Sequence, residues 1–230
     1  MTDGRTDRRI IVDTAGILRS DLPSGVALIS VDEKAENSIV VASGANGDLD
    51  EADIETSRKD LENCGILLLQ LEIPVPSVLK AAKIAHEAGA MVVLNPAPAC
   101  PLPDEVFRYV DLFIPNQTEL GNYSGIDTAD VAGAEKAAAA MQAKGVGKLI
   151  VTMGSKGALI CEGGPSVFVP AKKVKAVDTT AAGDTFCGAL CVAISEGKNL
   201  KEAAEFACSA SALTVQKMGA QNSIPFRKDL

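Results

Sequence analysis

The feature that most constrains this chain is a switch of hydrophobic period, repeated from Leu61 onward. Short apolar runs of strand length alternate with segments whose apolar residues recur at helical spacing. Strands that are apolar at consecutive positions need cover on both faces, and an intervening helix lets each strand run parallel to the last. The expected strands are residues 66–71, 91–95, 111–114 and 149–153. The expected helices are 75–88, 118–123 and 131–143, the last an alanine-rich run closed by Gly145. This is the pattern of an α/β chain with a mainly parallel sheet, whose ligands gather at the carboxyl ends of the strands.

Both ends of the sequence depart from this alternation. Residues 25–31 and 38–42 read as two strands joined by the charged turn 32–37, a hairpin outside the main sheet. After Met153 comes a shorter β section at 158–161 and 167–169, and then two helices. In the first, Phe186, Leu190, Ala193 and Ile194 share a face and Gly197 ends it; the second covers about 201–216. No repeat or linker interrupts the chain.

Charge and cysteine usage remove several function classes. A net charge of -8 and a pI near 4.8 oppose binding to nucleic acid or to an anionic membrane. The three neighbouring lysines Lys172, Lys173 and Lys175 read as a solvated face. No apolar run approaches the length that spans a bilayer, and the polar opening residues have no signal-peptide core. The six cysteines include no Cys-x-x-Cys pair and read as reduced thiols of a cytoplasmic protein. The single histidine, His86, reads as structural.

The densest chemical signal is Val177-Asp178-Thr179-Thr180-Ala181-Ala182-Gly183-Asp184-Thr185-Phe186, a small-residue turn that feeds into an amphipathic helix. Unpaired N–H groups and the positive end of the helix dipole meet there, a ready anion site. Small residues at 181–183 let a phosphate approach the backbone, and Asp184 stands beside it as a base for an incoming hydroxyl. An ordinary N-terminal aspartate of a helix would look the same in isolation.

This string resembles the second signature of the ribokinase, or phosphofructokinase-B-like, family of sugar kinases. Further stretches resemble the same family in the same order: Asn95-Pro96-Ala97-Pro98-Ala99, Pro115-Asn116-Gln117-Thr118-Glu119, Thr152-Met153-Gly154-Ser155-Lys156-Gly157 and Gly219-Ala220-Gln221-Asn222-Ser223. The resemblance implies a three-layer α/β/α sandwich with a small β lid, residues 1–50 forming part of the lid and 51–230 the nucleotide-binding and catalytic core. It implies transfer of the ATP γ-phosphoryl group to a sugar hydroxyl, D-ribose in the first instance. Asp184 would be the base, and the backbone of Ala181, Ala182 and Gly183 the anion hole.

By the same resemblance, ATP would meet Asn116, Thr152, Gly154, Ser155, Lys156, Gly157, Gly183 and Asp184, with Cys208 at the adenine. Asn116 and Glu119 would organise Mg²⁺, and Glu72 would contact the sugar together with Asp184. A monovalent cation, normally K⁺, would sit at Asp178, Thr180, Thr214, Lys217, Gly219 and Ser223. A homodimer formed through the lid is the family's assembly. No stretch matches the family's first, Gly-Gly-containing signature, so the sequence reads as an N-terminally truncated member that begins within the lid. The alternatives are a non-catalytic ATP-binding fragment, or a kinase of the same family acting on another sugar or a nucleoside.

Overall fold

A computed structural model describes residues 14, 16–31 and 37–230. The charged turn expected at 32–37 lies outside them except for Asn37, as do the first thirteen residues. Strands β1 (Val26–Val31) and β2 (Asn37–Ala42) pair antiparallel in a two-stranded sheet of their own, as the hairpin pattern predicts.

The main sheet has the order β3-β4-β5-β6-β7-β8, with β3 at Ile66–Leu69, β4 at Met91–Leu94, β5 at Leu112–Phe113, β6 at Lys148–Thr152, β7 at Gly157–Cys161 and β8 at Val167–Pro170. The first four strands are parallel; β7 and β8 each pair antiparallel with the preceding strand. Only residues 153–156 connect β6 to β7, too few for a crossover, so the sheet must reverse direction there.

Side-chain alternation sorts the strands onto two cores. Val92, Leu94, Phe113, Leu149, Val151 and Leu159 face one core, against α3 (Val75–Glu87), α4 (Gln117–Ser124) and α5 (Val131–Ala143). Val93, Leu112, Ile114, Ile150, Ala158 and Ile160 face the other, against α6 (Ala182–Ser195) and α7 (Leu200–Thr214). The result is the expected three-layer arrangement. In α5, the buried stripe is Ala134, Ala137, Ala138 and Met141, and its small residues let the helix lie close to the strands.

Two short helices, α1 (Glu51–Thr56) and α2 (Arg58–Asn63), were not expected from periodicity. Asp50 and Asp53 form a reciprocal capping box that starts α1. Ile54 is buried, and Ser77 Oγ donates to Leu49 O at 2.7 Å, tying the segment to α3. The remaining α-helices and strands fall within a few residues of their expected bounds.

Candidate active site

The turn before α6 is organised by one carboxylate. Asp178 Oδ1 accepts from Thr180 N at 2.9 Å, and Asp178 Oδ2 accepts from Gly219 N at 2.9 Å. These N–H groups, Gly219 foremost, hold the Asp178 carboxyl below its ordinary value. Val177 N and Asp178 N both donate to Val215 O, at 2.7 and 3.2 Å. Asp178, Thr180 and Gly219 of the expected cation set are thereby brought together. Thr214 is buried and its carbonyl accepts from Lys217 N, while buried Ser223 donates to Ala220 O at 2.6 Å.

Ala181 then takes the left-handed conformation, φ 60°, the one positive φ outside glycine among the described residues. Ala182 N turns back to Thr179 O at 3.2 Å, and Thr185 N to Ala181 O at 2.9 Å begins the helical ladder. Among the described residues, the N–H groups of Ala181, Gly183 and Asp184 meet no acceptor, so they and the helix dipole are available to an anion. A Cβ in the left-handed region costs on the order of 1 kcal/mol. Ala181→Gly is therefore expected to raise unfolding free energy by about 1 kcal/mol, read from the denaturant midpoint.

Asp184 occupies the third position of α6 and is exposed. Its Oδ1 accepts from Gln70 Nε2 at 2.8 Å, and its Oδ2 has no partner among the described residues. Gln70 follows directly on β3. Glu72, which the resemblance assigns to the sugar, lies two residues further on and is exposed; like Gln70 and Asp184, it does not line the cavity beside α6. Gln70 opens the stretch Gln70-Leu71-Glu72-Ile73-Pro74 that carries Glu72, but the resemblance gives it no role, and its partner is 114 residues away.

That cavity, of about 500 Å³, runs between the β6–β7 turn, the loop after β8 and the facing sides of α6 and α7. Asn116, Thr152, Gly154, Ser155, Gly157, Gly183 and Cys208 all line it, as the motifs imply. Lys156 and Asp184 do not: Lys156 Nζ donates to Ala129 O at 3.3 Å, and Asp184 follows the lining residue Gly183. Ala182, Phe186, Ala212 and Val215 give the inner end an apolar wall, and burial pushes the Cys208 thiol up to about 11, keeping it neutral there. Ser211 Oγ donates to Ala182 O at 2.8 Å and joins this wall to the anion turn. Lys172 and Lys173 are exposed, as their sequence suggests, yet they also line the cavity and set positive charge at its rim.

Asn116 caps α4, accepting from Glu119 N at 2.8 Å, while Glu119 Oε2 accepts from Asn116 N at 2.8 Å. This is the ordinary helix-start geometry that an Asn and a Glu three apart allow. Glu119 is also buried, which raises its carboxyl above the ordinary value against the opposing pull of the Asn116 N–H. Asn116 is exposed and lines the cavity, and a bridge to Thr152 holds it there.

Comparison with known proteins agrees with this geometry. A ribokinase of Haemophilus influenzae is 43% identical over 206 residues, 90% of this chain and 67% of that protein. The crystal structure of ribokinase from Thermotoga maritima superposes with a TM-score of 0.82 at 42% identity, covering 92% of this chain and 70% of the other. The Arabidopsis thaliana ribokinase complexed with ribose and ATP gives 0.81 at 35% identity, covering 90% and 68%. The chain thus spans about two thirds of the length of these relatives. The pattern of the pfkB family carbohydrate kinase matches residues 8–227, and since that span carries both the anion turn and the cavity beside it, the chain belongs to this family.

Proposed function

We propose that this chain is the nucleotide-binding and catalytic core of an ATP-dependent sugar kinase that phosphorylates D-ribose to ribose 5-phosphate. The observation that carries the reading is the position of Asp184, directly after Gly183, which has an N–H without an acceptor among the described residues and lines a nucleoside-sized cavity. Relatives named ribokinase, one of them solved with ribose and ATP, support the choice of sugar.

In this reading Asp184 Oδ2 takes the proton of the attacking hydroxyl as that oxygen bonds to the γ-phosphorus. The bond from the γ-phosphorus to the bridging oxygen breaks, and ADP leaves with the bonding pair. The Gly183 and Ala181 N–H groups face the charge spread over the transferring oxygens, where fixed donors act without reorganising. The apolar end of the cavity takes the adenine against Cys208, and Glu72 reaches the sugar.

Asn116 and Glu119 suit a magnesium that keeps most of its waters: both offer hard oxygen donors, and Glu119 has one oxygen not used in the cap. Magnesium supplies neutralisation of the phosphate charge. The closely tied segments of Asp178, Thr180, Thr214, Lys217, Gly219 and Ser223 suit a monovalent cation, K⁺, held by backbone carbonyls. Strands β1 and β2 act as part of a lid, and their exposed Val26, Leu28, Val40 and Val41 form the contact of a homodimer. All six cysteines are unpaired among the described residues, which fits the reducing cytoplasm. No described helix is long and apolar enough to cross a membrane.

The test is ATP consumption by the purified chain with Mg²⁺ and K⁺, with and without D-ribose. Ribose-dependent consumption supports the kinase. A folded chain that binds ATP yet consumes none with ribose favours a non-catalytic nucleotide-binding role.

A further inference from the structure

We propose that Gln70 is a positioning residue for the base, holding one oxygen of Asp184 so that the other is presented to the sugar hydroxyl; this rests on the reading of Asp184 as that base. The contact is a 2.8 Å hydrogen bond from Gln70 Nε2 to Asp184 Oδ1. A carboxylate offers only acceptors, so only the amide nitrogen of Gln70 can face it.

Asp184 needs such a restraint because it is exposed and its side chain is held by no other described partner. The restraint comes from a rigid place. Leu71 N donates to Ala97 O at 3.0 Å, Asn95 N to Leu69 O at 2.9 Å, and Asn95 Nδ2 to Ile114 O at 2.8 Å. These bonds lash the carboxyl ends of β3, β4 and β5 together, and burial of Leu71 pins the chain directly after Gln70. The amide therefore reaches Asp184 from the sheet, while Asp184 itself rides on α6.

The chemistry of the donor matters as much as its placement. A lysine or arginine in this position would pair with the carboxylate and compete with the substrate for it. A neutral amide fixes Oδ1 and leaves the negative charge in place, with Oδ2 free to accept a proton. Because small misplacements of a reacting group are costly, loss of this restraint is felt in turnover rather than in nucleotide binding.

Steady-state kinetics of Gln70→Ala and Gln70→Glu, with thermal midpoints as a folding control, test the assignment. Gln70→Ala is expected to lower kcat by roughly 10- to 100-fold with the KM for ATP within about two-fold. Gln70→Glu keeps the shape but replaces the donor with a second negative charge, and is expected to lower kcat further. A residue that merely fills space would give the reverse order, with Gln70→Glu the milder change. That order, or a Gln70→Ala kcat within about two-fold of the parent, overturns the assignment. The side-chain amide resonance of Gln70 reads the contact without turnover: it should move in Asp184→Ala, and an unmoved resonance also overturns it. A parent chain without sugar-dependent turnover sinks the reading of Asp184 as base and the role of Gln70 with it, whereas turnover indifferent to Gln70 sinks only the latter.

Discussion

Asp184→Asn is expected to lower ribose-dependent ATP consumption by roughly three to four orders of magnitude, while ATP affinity changes less than about two-fold. The asparagine retains an oxygen that can accept from Gln70, so the side chain keeps its place. What it loses is the ability to take a proton from the hydroxyl. Asp184 is exposed and stands in the first turn of α6, where its charge favours the helix by only about 0.5 kcal/mol. The thermal midpoint should consequently move by no more than a few degrees. Titration calorimetry with a non-hydrolysable ATP analogue, run beside the turnover assay, separates the loss of chemistry from any loss of binding. Turnover within ten-fold of the parent would remove Asp184 from the role of base.

Gly157→Ala is the substitution with the largest expected effect on stability. Gly157 has φ 127°, and a Cβ there would lie 2.0 Å from Val169 O and 2.7 Å from Ala171 N. Both obstacles are backbone, so no side-chain rotation relieves them. The β7–β8 pairing must separate at the Gly157–Pro170 pair, and strained φ and overpacking together cost roughly 4 kcal/mol. Because Gly157 and Ala171 both line the cavity, ATP affinity should fall at least about ten-fold in whatever folded protein remains. Gly154→Ala, three residues earlier, is the control. Gly154 has φ 56° but open space around its Cα, so its alanine should cost only about 1 kcal/mol. Equal unfolding free energies for the two variants would refute the steric account.

The contrast between these glycines shows where the sequence was readable and where it was not. The parallel strands announced themselves because Val92, Val93 and Leu94 are apolar in succession, which only a strand covered on both faces explains. The anion turn was readable because small residues, a helix start and an aspartate coincide within ten positions. Helices α1 and α2 were not, since Ile54 is their sole buried residue and much of their support comes from Ser77 and Lys80 on another helix. The charge of Lys172 and Lys173 was plain, but their place on the cavity rim depends on how the loop after β8 folds back toward α7. Gln70 was invisible for a similar reason. A glutamine after a strand has no local signature, and its meaning comes from a partner brought near by the whole α/β/α arrangement.

The two oxygens of Asp178 grip Thr180 and Gly219, which stand on either side of α6 and α7 in the sequence. This ties the residues that follow α7 to the turn that precedes α6, beside the cavity. Movement of Asp178 disturbs both bonds, so the turn and the chain just beyond α7 are coupled through that one carboxylate. Disturbing the chain just beyond α7 should therefore raise solvent exchange at both amides, although Thr180 lies some forty residues upstream.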